Sequence, residues 1–242
     1  MNKTIITSLP DKNNIPLEIQ ESFNNIRKMN PTWELKVFSN EEVKEFFRTE
    51  ATEYLATAQM ISKGYFVAVV DLFRTIYIYK NGGVWFDAKI GFKYPLDEII
   101  SEDSDGLLLI RAGMVVGNDS MGSIATQFFA FNKNHPFLQF IIDEQVRRVL
   151  NFKHKKFNTW MTTRNQILYT TGPGVFRDIL WCLDLTRFDI VYQKKAHKFI
   201  YWSVFEKNIN QFWNLKYLHR KQLNIETTHL THKIIDNNKK EF

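Results

Sequence analysis

Four side chains able to do charge chemistry fall within one short stretch of this chain: Asp71, Arg74, Asp87 and Lys89. A carboxylate and a guanidinium three residues apart on a helix lie close enough to act on one ligand. A carboxylate at the exit of a buried strand calls for a partner, a metal or a substrate, because burial without one is costly. Together these types grip hydroxyls, neutralise phosphate or hold a cation. The elements that would position them run from Gly64 to Leu96 and read as helix, tight turn, strand. Val69, Val70, Phe73, Ile76 and Tyr77 recur at helical spacing and form the core stripe, which leaves Asp71 and Arg74 on another side, facing a cleft. Asn81-Gly82-Gly83 stops the helix, since glycine accepts the left-handed backbone of a tight reversal. Val84-Trp85-Phe86 is a short apolar strand that delivers Asp87. If the chain stays extended, Asp87 and Lys89 share a face and look toward the same phosphates.

The series Asp71-x-x-Arg74, then Tyr79-x-Asn81-Gly82-Gly83-Val84-Trp85-Phe86-Asp87, resembles the DXD-motif sugar transferases. These include the initiation-specific mannosyltransferases, the capsular-polysaccharide glycosyltransferases and, more distantly, the large clostridial toxin glucosyltransferases. Lys3-Thr-Ile-Ile-Thr-Ser is similar to that family's first nucleotide-binding strand, Asn30-Pro31-Thr32-Trp33 to its Asn-Pro-x-Trp approach to the second, and Thr171-Gly172-Pro173-Gly174 to its later Thr-Gly-Pro turn. The matches run from about residue 3 to about residue 176. The usual Asp-x-Asp reads Asp87-Ala88-Lys89, so a lysine stands where the second acid would be. Two carboxylates would hold a divalent ion; one carboxylate and one ammonium can share the task, Asp87 touching the donor sugar or a weakly held ion and Lys89 the diphosphate.

The resemblance implies a GT-A-type (Rossmann-like) mixed central sheet flanked by helices. It implies transfer of a hexose from a nucleoside-diphosphate sugar, UDP- or GDP-linked, to a hydroxyl of a glycan, polysaccharide or other acceptor, with retention of configuration. Asp87, Asp71 and Arg74 would be catalytic. Thr7, Tyr79, Gly82, Gly83 and Lys89 would join them around the donor, and Asn118, Asp119 and Gln127 would meet the acceptor. Mn2+ or Mg2+ would sit on Asp87, with a C-terminal histidine, His229 or His232, reaching back to it. Two alternatives stand beside this reading: an inactive module that keeps the fold and binds sugar nucleotides or glycans, and a basic binder of polyanions.

Length and composition, 242 residues with 44% hydrophobic and 24% charged, fit one domain over residues 1–242, its motif-bearing core followed by a basic, aromatic-rich part from about 177. Met1-Asn-Lys leads almost at once into a core strand and apolar runs are soon broken by charge, so the reading is of a cytoplasmic protein without secretory leader or membrane span. The single cysteine, Cys182, fits core packing in a reducing compartment. Residues 1–150 carry 16 Lys and Arg against 19 Asp and Glu, and residues 151–242 carry 16 against 7, with a basic run from Arg147 to Lys156. That asymmetry suits an anionic partner or a solvated face. No helix-turn-helix register, zinc spacing or ribonucleoprotein motif accompanies it, so nucleic acid is not expected.

Along the chain, Thr4 to Leu9 reads as a strand, Pro16 to about Lys28 as a helix and Trp33 to Phe38 as a half-buried strand. Ser39-Asn40-Glu41-Glu42 starts a helix, and a mixed helical pattern follows from about Thr52 to Ile61. Beyond the central stretch come a turn and short helix at Pro95–Ile99, a strand at Gly106–Arg111, an irregular segment from Val115 to Thr126 and a strand at Gln127–Phe131. His135-Pro136 opens a helix to about Leu150, and the Thr171 turn precedes another from Val175 to about Leu185. Such alternation belongs to layered α/β folds.

Overall fold

The computed structural model describes residues 1–62, 66–100, 102, 104–111, 123–152, 163–182, 190–193 and 200–201. Its strands are β1 (Thr4–Ser8), β2 (Glu34–Phe38), β3 (Gly83–Phe86), β4 (Gly91–Phe92), β5 (Gly106–Arg111), β6 (Ser123–Phe131), β7 (Ile190–Gln193) and β8 (Ile200–Tyr201). The helices are α1 (Leu17–Met29), α2 (Asn40–Thr49), α3 (Leu55–Ser62), α4 (Phe66–Asn81), α5 (Leu96–Ile99), α6 (Pro136–Phe152), α7 (Thr163–Thr170) and α8 (Pro173–Cys182).

Among the described residues, six strands form a mixed sheet in the order β2-β1-β3-β6-β5-β7, and β4 pairs with β8 in a small second sheet. β1 runs parallel to β2 and β3, and β5 parallel to β7, while β6 is antiparallel to both of its neighbours. Alternate residues of each strand point to opposite faces. Ile6, Trp85 and Phe129 therefore join one core with α2, α4, α6 and α8, while Ile5, Val84, Phe86 and Phe128 join the other with α1 and α5. This is the α/β architecture expected, a mixed central sheet between helical layers.

Local chemistry explains the elements. Ile19, Phe23 and Ile26 give α1 its buried face. α2 starts in a capping box, in which the Glu42 N–H donates to Ser39 Oγ at 3.2 Å and the Ser39 N–H to Glu42 Oε2 at 2.7 Å. The Asn30-Pro-x-Trp33 segment is a clamp on the first turn of α5. Asn30 Oδ1 accepts the Leu96 N–H at 2.6 Å, and Trp33 Nε1 donates to Asp97 Oδ1 at 3.0 Å. His135 accepts the Phe137 N–H at Nδ1, 3.2 Å away, and lies 4.8 Å from the Phe131 ring, which fits a structural role at the start of α6.

Three local expectations change. α4 is buried all round from Asp71 to Ile78, not along one stripe, while Val70 of the expected stripe is only half-buried. β3 stops at Phe86; Ala88 and Lys89 form a turn in which the Ile90 N–H donates to Asp87 O at 2.8 Å, so the shared extended face of Asp87 and Lys89 does not exist. β6 begins at Ser123, inside the stretch read as irregular, because Ile124 and Ala125 find cover on opposite faces of the sheet.

Candidate active site

Asp71, Arg74 and Asp87 meet where α4 lies against the C-terminal end of β3. The helix runs toward the Gly82-Gly83 reversal and β3 runs back, so residues 13 and 16 positions apart in sequence come together. Arg74 Nη2 is 2.6 Å from Asp71 Oδ1, and Nη1 is 3.5 Å from Asp87 Oδ1. Arg74 Nη2 also donates to Thr126 Oγ1 of β6 at 3.1 Å. Asp87 is held by Trp85 Nε1, which donates to its Oδ1 at 3.2 Å, and its own N–H donates to Gln127 O at 2.8 Å. On the far side of Asp71, Thr171 Oγ1 donates to Oδ2 at 3.2 Å.

Burial grades across the set. The side chains of Arg74 and Asp71 are 5% and 10% exposed, whereas that of Asp87 is 28% exposed. The open cleft expected before Asp71 and Arg74 is thus closed, because α6 and the α7–α8 turn pack over them, with Gln145 and Thr171 wholly buried there. Asp87 is the face that the group presents outward. Burial pushes the Asp71 carboxyl up to about 6; Arg74 opposes this, the Asp87 charge adds to it and the Thr171 hydroxyl opposes it. With both acids ionised the trio carries one net negative charge. It is suited to a cation or to sugar hydroxyls at Asp87 more than to direct contact with phosphate.

The remaining expected positions divide. Gln127 is half-buried on β6 beside Asp87, and Lys89 is exposed in the turn that follows. Thr7 is buried at the level of Phe86, two residues on from Ile5, and so points toward the α1 layer, away from α4. Tyr79, Gly82 and Gly83 lie at the opposite end of β3 from Asp87, roughly 13 Å along a strand of this length. Their surroundings there are structural. Tyr79 O accepts the Asn134 N–H at 2.7 Å, and a Cβ on Gly82 or Gly83 would lie 2.9 Å from Lys133 N or 2.6 Å from Thr4 O. Asn118, Asp119, His229 and His232 lie outside the described residues, as do Lys153–Lys156. Arg147 and Arg148, the described part of the basic run, are paired with Glu144, and Arg148 also with Asp178. Cys182 ends α8.

Among the described residues no group of three or more His, Cys, Asp or Glu could surround a metal ion. Asp87 is one partly exposed carboxylate, which matches the way Mg2+ takes a single acid and completes its shell with substrate phosphate and water. Thr126, Trp85, Thr171 and Gln145 were not singled out as site side chains from the sequence. The Thr171 turn was visible as a motif, but nothing local says that its hydroxyl meets a carboxylate 100 residues earlier.

The family described as "Capsular polysaccharide synthesis protein" matches residues 12–161. Inositol phosphoceramide mannosyltransferase 3 of Schizosaccharomyces pombe is 27% identical over 153 residues, 63% of this chain and 37% of that protein. Inositol phosphoceramide mannosyltransferase 1 of the same yeast is 23% identical over 172 residues, 70% of this chain and 48% of that protein. The chain spans less than half the length of these relatives. Among solved structures, the PaToxG glycosyltransferase superposes with a TM-score of 0.51 at 15% identity, covering 96% of this chain and 82% of that one. That likeness is one of fold, and it agrees with the mixed sheet and flanking helices described above. The family match covers more than half of the residues, so this chain belongs to the capsular polysaccharide synthesis protein family and is built on the GT-A glycosyltransferase fold.

Proposed function

We propose that this domain is a glycosyltransferase that moves a hexose from a nucleoside-diphosphate sugar to a hydroxyl of a glycan or other acceptor, with retention of configuration. The observation that carries the reading is Arg74 held between Asp71 and Asp87, with Asp87 alone turned outward at the end of β3. In the reaction the bond from the anomeric carbon to the diphosphate breaks, the acceptor oxygen bonds to that carbon from the same face, and the acceptor proton passes to a leaving phosphate oxygen. No separate strong base is needed on this route. Asp87 orients the sugar hydroxyls, fixed by Arg74 and by the Trp85 N–H, so that its position is set before substrate arrives. Lys89, exposed in the next turn, supplies positive charge toward the diphosphate. Mn2+ or Mg2+, when bound, would be held by Asp87 and would offset the charge growing on the leaving group.

The test is an NMR panel of UDP-, GDP- and dTDP-linked sugars, each with manganese, with magnesium and with chelator. Mannose donors come first, because the two yeast relatives are named mannosyltransferases. One donor is expected to be hydrolysed slowly without acceptor, and Asp87→Asn is expected to cut that turnover by about 100-fold or more while remaining folded. Full turnover in folded Asp87→Asn would overturn the site assignment. Binding without turnover under every condition would favour a module that holds sugar nucleotides without acting on them.

A further inference from the structure

The side of the site away from Asp87 is built as carefully as the side that faces outward. Gln145 of α6 is fully buried and turns the donor end of its amide to two backbone carbonyls, Thr171 O at 2.5 Å and Asp71 O at 3.5 Å. Its Oε1 has no partner among the described residues, so the side chain is oriented by what it donates. One turn further along α6, Arg148 donates to Tyr169 O at 2.5 Å and to Asp178 Oδ2 at 2.8 Å, and Glu144 fixes its Nε at 2.6 Å. α6 thereby satisfies carbonyls that the C-terminal end of α7 leaves open. Gly172 and Gly174 let the turn press on α7, since a Cβ on either would lie 3.0 Å from Leu168 Cα or 2.8 Å from Leu168 O.

The outcome of this bracing is the direction of one hydroxyl. Thr171 Oγ1 has a single proton and two acceptors in range, Asp71 Oδ2 at 3.2 Å and Ile167 O at 3.4 Å. An ionised carboxylate is the stronger acceptor. We propose that Thr171, braced by Gln145 and Arg148 of α6, is a positioning residue that holds the Asp71 carboxylate, and through it Arg74, against Asp87. The role of this network in catalysis rests on the glycosyltransferase reading; its action on Asp71 does not. The charged groups facing Asp71 are Arg74 on its own helix and Asp87 after β3, while α6 and the α7–α8 turn present the neutral Gln145 and Thr171.

The experiment compares wild type, Thr171→Val and Thr171→Ser in the full chain. Asp71 is titrated by NMR of carboxyl-labelled aspartate, its signal assigned by its loss in Asp71→Asn, and kcat and KM are measured on whichever donor the panel identifies. In Thr171→Val the Asp71 midpoint should move to higher pH and kcat should fall about tenfold with KM little changed, the loss of one hydrogen bond to a charged group. Thr171→Ser should restore both. An unmoved midpoint in folded Thr171→Val overturns the proposal, as does a serine variant that fails to restore it. Should Thr171→Val not fold, Gln145→Met reads the same bracing with the hydroxyl retained: an upward shift of the Asp71 midpoint supports the proposal and an unchanged one overturns it. If wild type uses no donor at all, the proposed activity fails, and the Asp71 titration, which needs no substrate, still decides whether Thr171 positions this carboxylate.

Discussion

Asp71 couples the chemistry of the site to the stability of the chain. Its carboxyl rises from 3.8 to about 6 because burial outweighs the attraction of Arg74, with the Asp87 charge adding to the rise. A folded-state value above the unfolded one means that between these pH values the folded chain keeps a proton that the unfolded chain has released. Stability is therefore highest below about pH 4 on this account and declines as pH rises through about 6, by about 3 kcal/mol in all. Urea unfolding of wild type and Asp71→Asn across that window should show the decline in the first and a flatter profile in the second. Glu144 behaves in the opposite sense. Hydrogen bonds from Arg147, followed by burial acting against them and by Arg148, leave it lowered to about 2, so its contribution is present above about pH 4.5 and is lost as pH falls toward 2. Turnover should rise from pH 5 to 7 as Asp71 ionises, because only then does it hold Arg74 by charge.

At the scale of elements, the helix–reversal–strand unit of α4 and β3 sets how near Asp87 comes to Arg74. Gly82 and Gly83 make that reversal at φ +71° and +111°, and Gly83 passes so close to β1 that any Cβ would strike Thr4 O. Gly83→Ala meets both penalties at once, a disfavoured backbone and a backbone clash, and should destabilise the chain by about 3 kcal/mol or more in urea or thermal unfolding. A stability loss under 1 kcal/mol would show that the reversal relaxes without effect on β3. The same unit shows why two readings of the sequence diverged from the structure. Helical spacing marks one apolar stripe correctly, but α4 has neighbours on all sides, so Asp71 and Arg74 are enclosed as well. Asp87 and Lys89 alternate as they would in a strand, yet the chain turns at Ala88.

Across the whole molecule, the sheet separates two apolar cores, and its central strands β1, β3 and β6 are covered on both faces. Among the described strands, β2 and β7 stand at its edges. Amides of β3 from Val84 to Phe86 should exchange with solvent only through global unfolding, and β2 should exchange faster, which hydrogen exchange read by mass spectrometry resolves at the level of these peptides. Because Asp87 leaves the end of a fully buried strand, the outward carboxylate of the site is mounted on a well-packed part of the fold. Among the described residues no helix is long and apolar enough to cross a membrane.

The sequence by itself determined the α/β class, the order of most elements and the short stretch that holds Asp71, Arg74 and Asp87, because caps, glycine reversals and hydrophobic periods act over a few residues. Ser39 and Glu42 announced α2, and Gly82-Gly83 announced the end of α4, by chemistry readable on the spot. The tertiary structure decided which side chains meet across long separations. It placed Thr126 on Arg74, Thr171 on Asp71 and Gln145 behind both, and it sent Tyr79, Gly82 and Gly83 to the other end of β3. Those outcomes depend on register and on which helix closes over which face. They are set by packing shared among distant segments, and no local pattern encodes them.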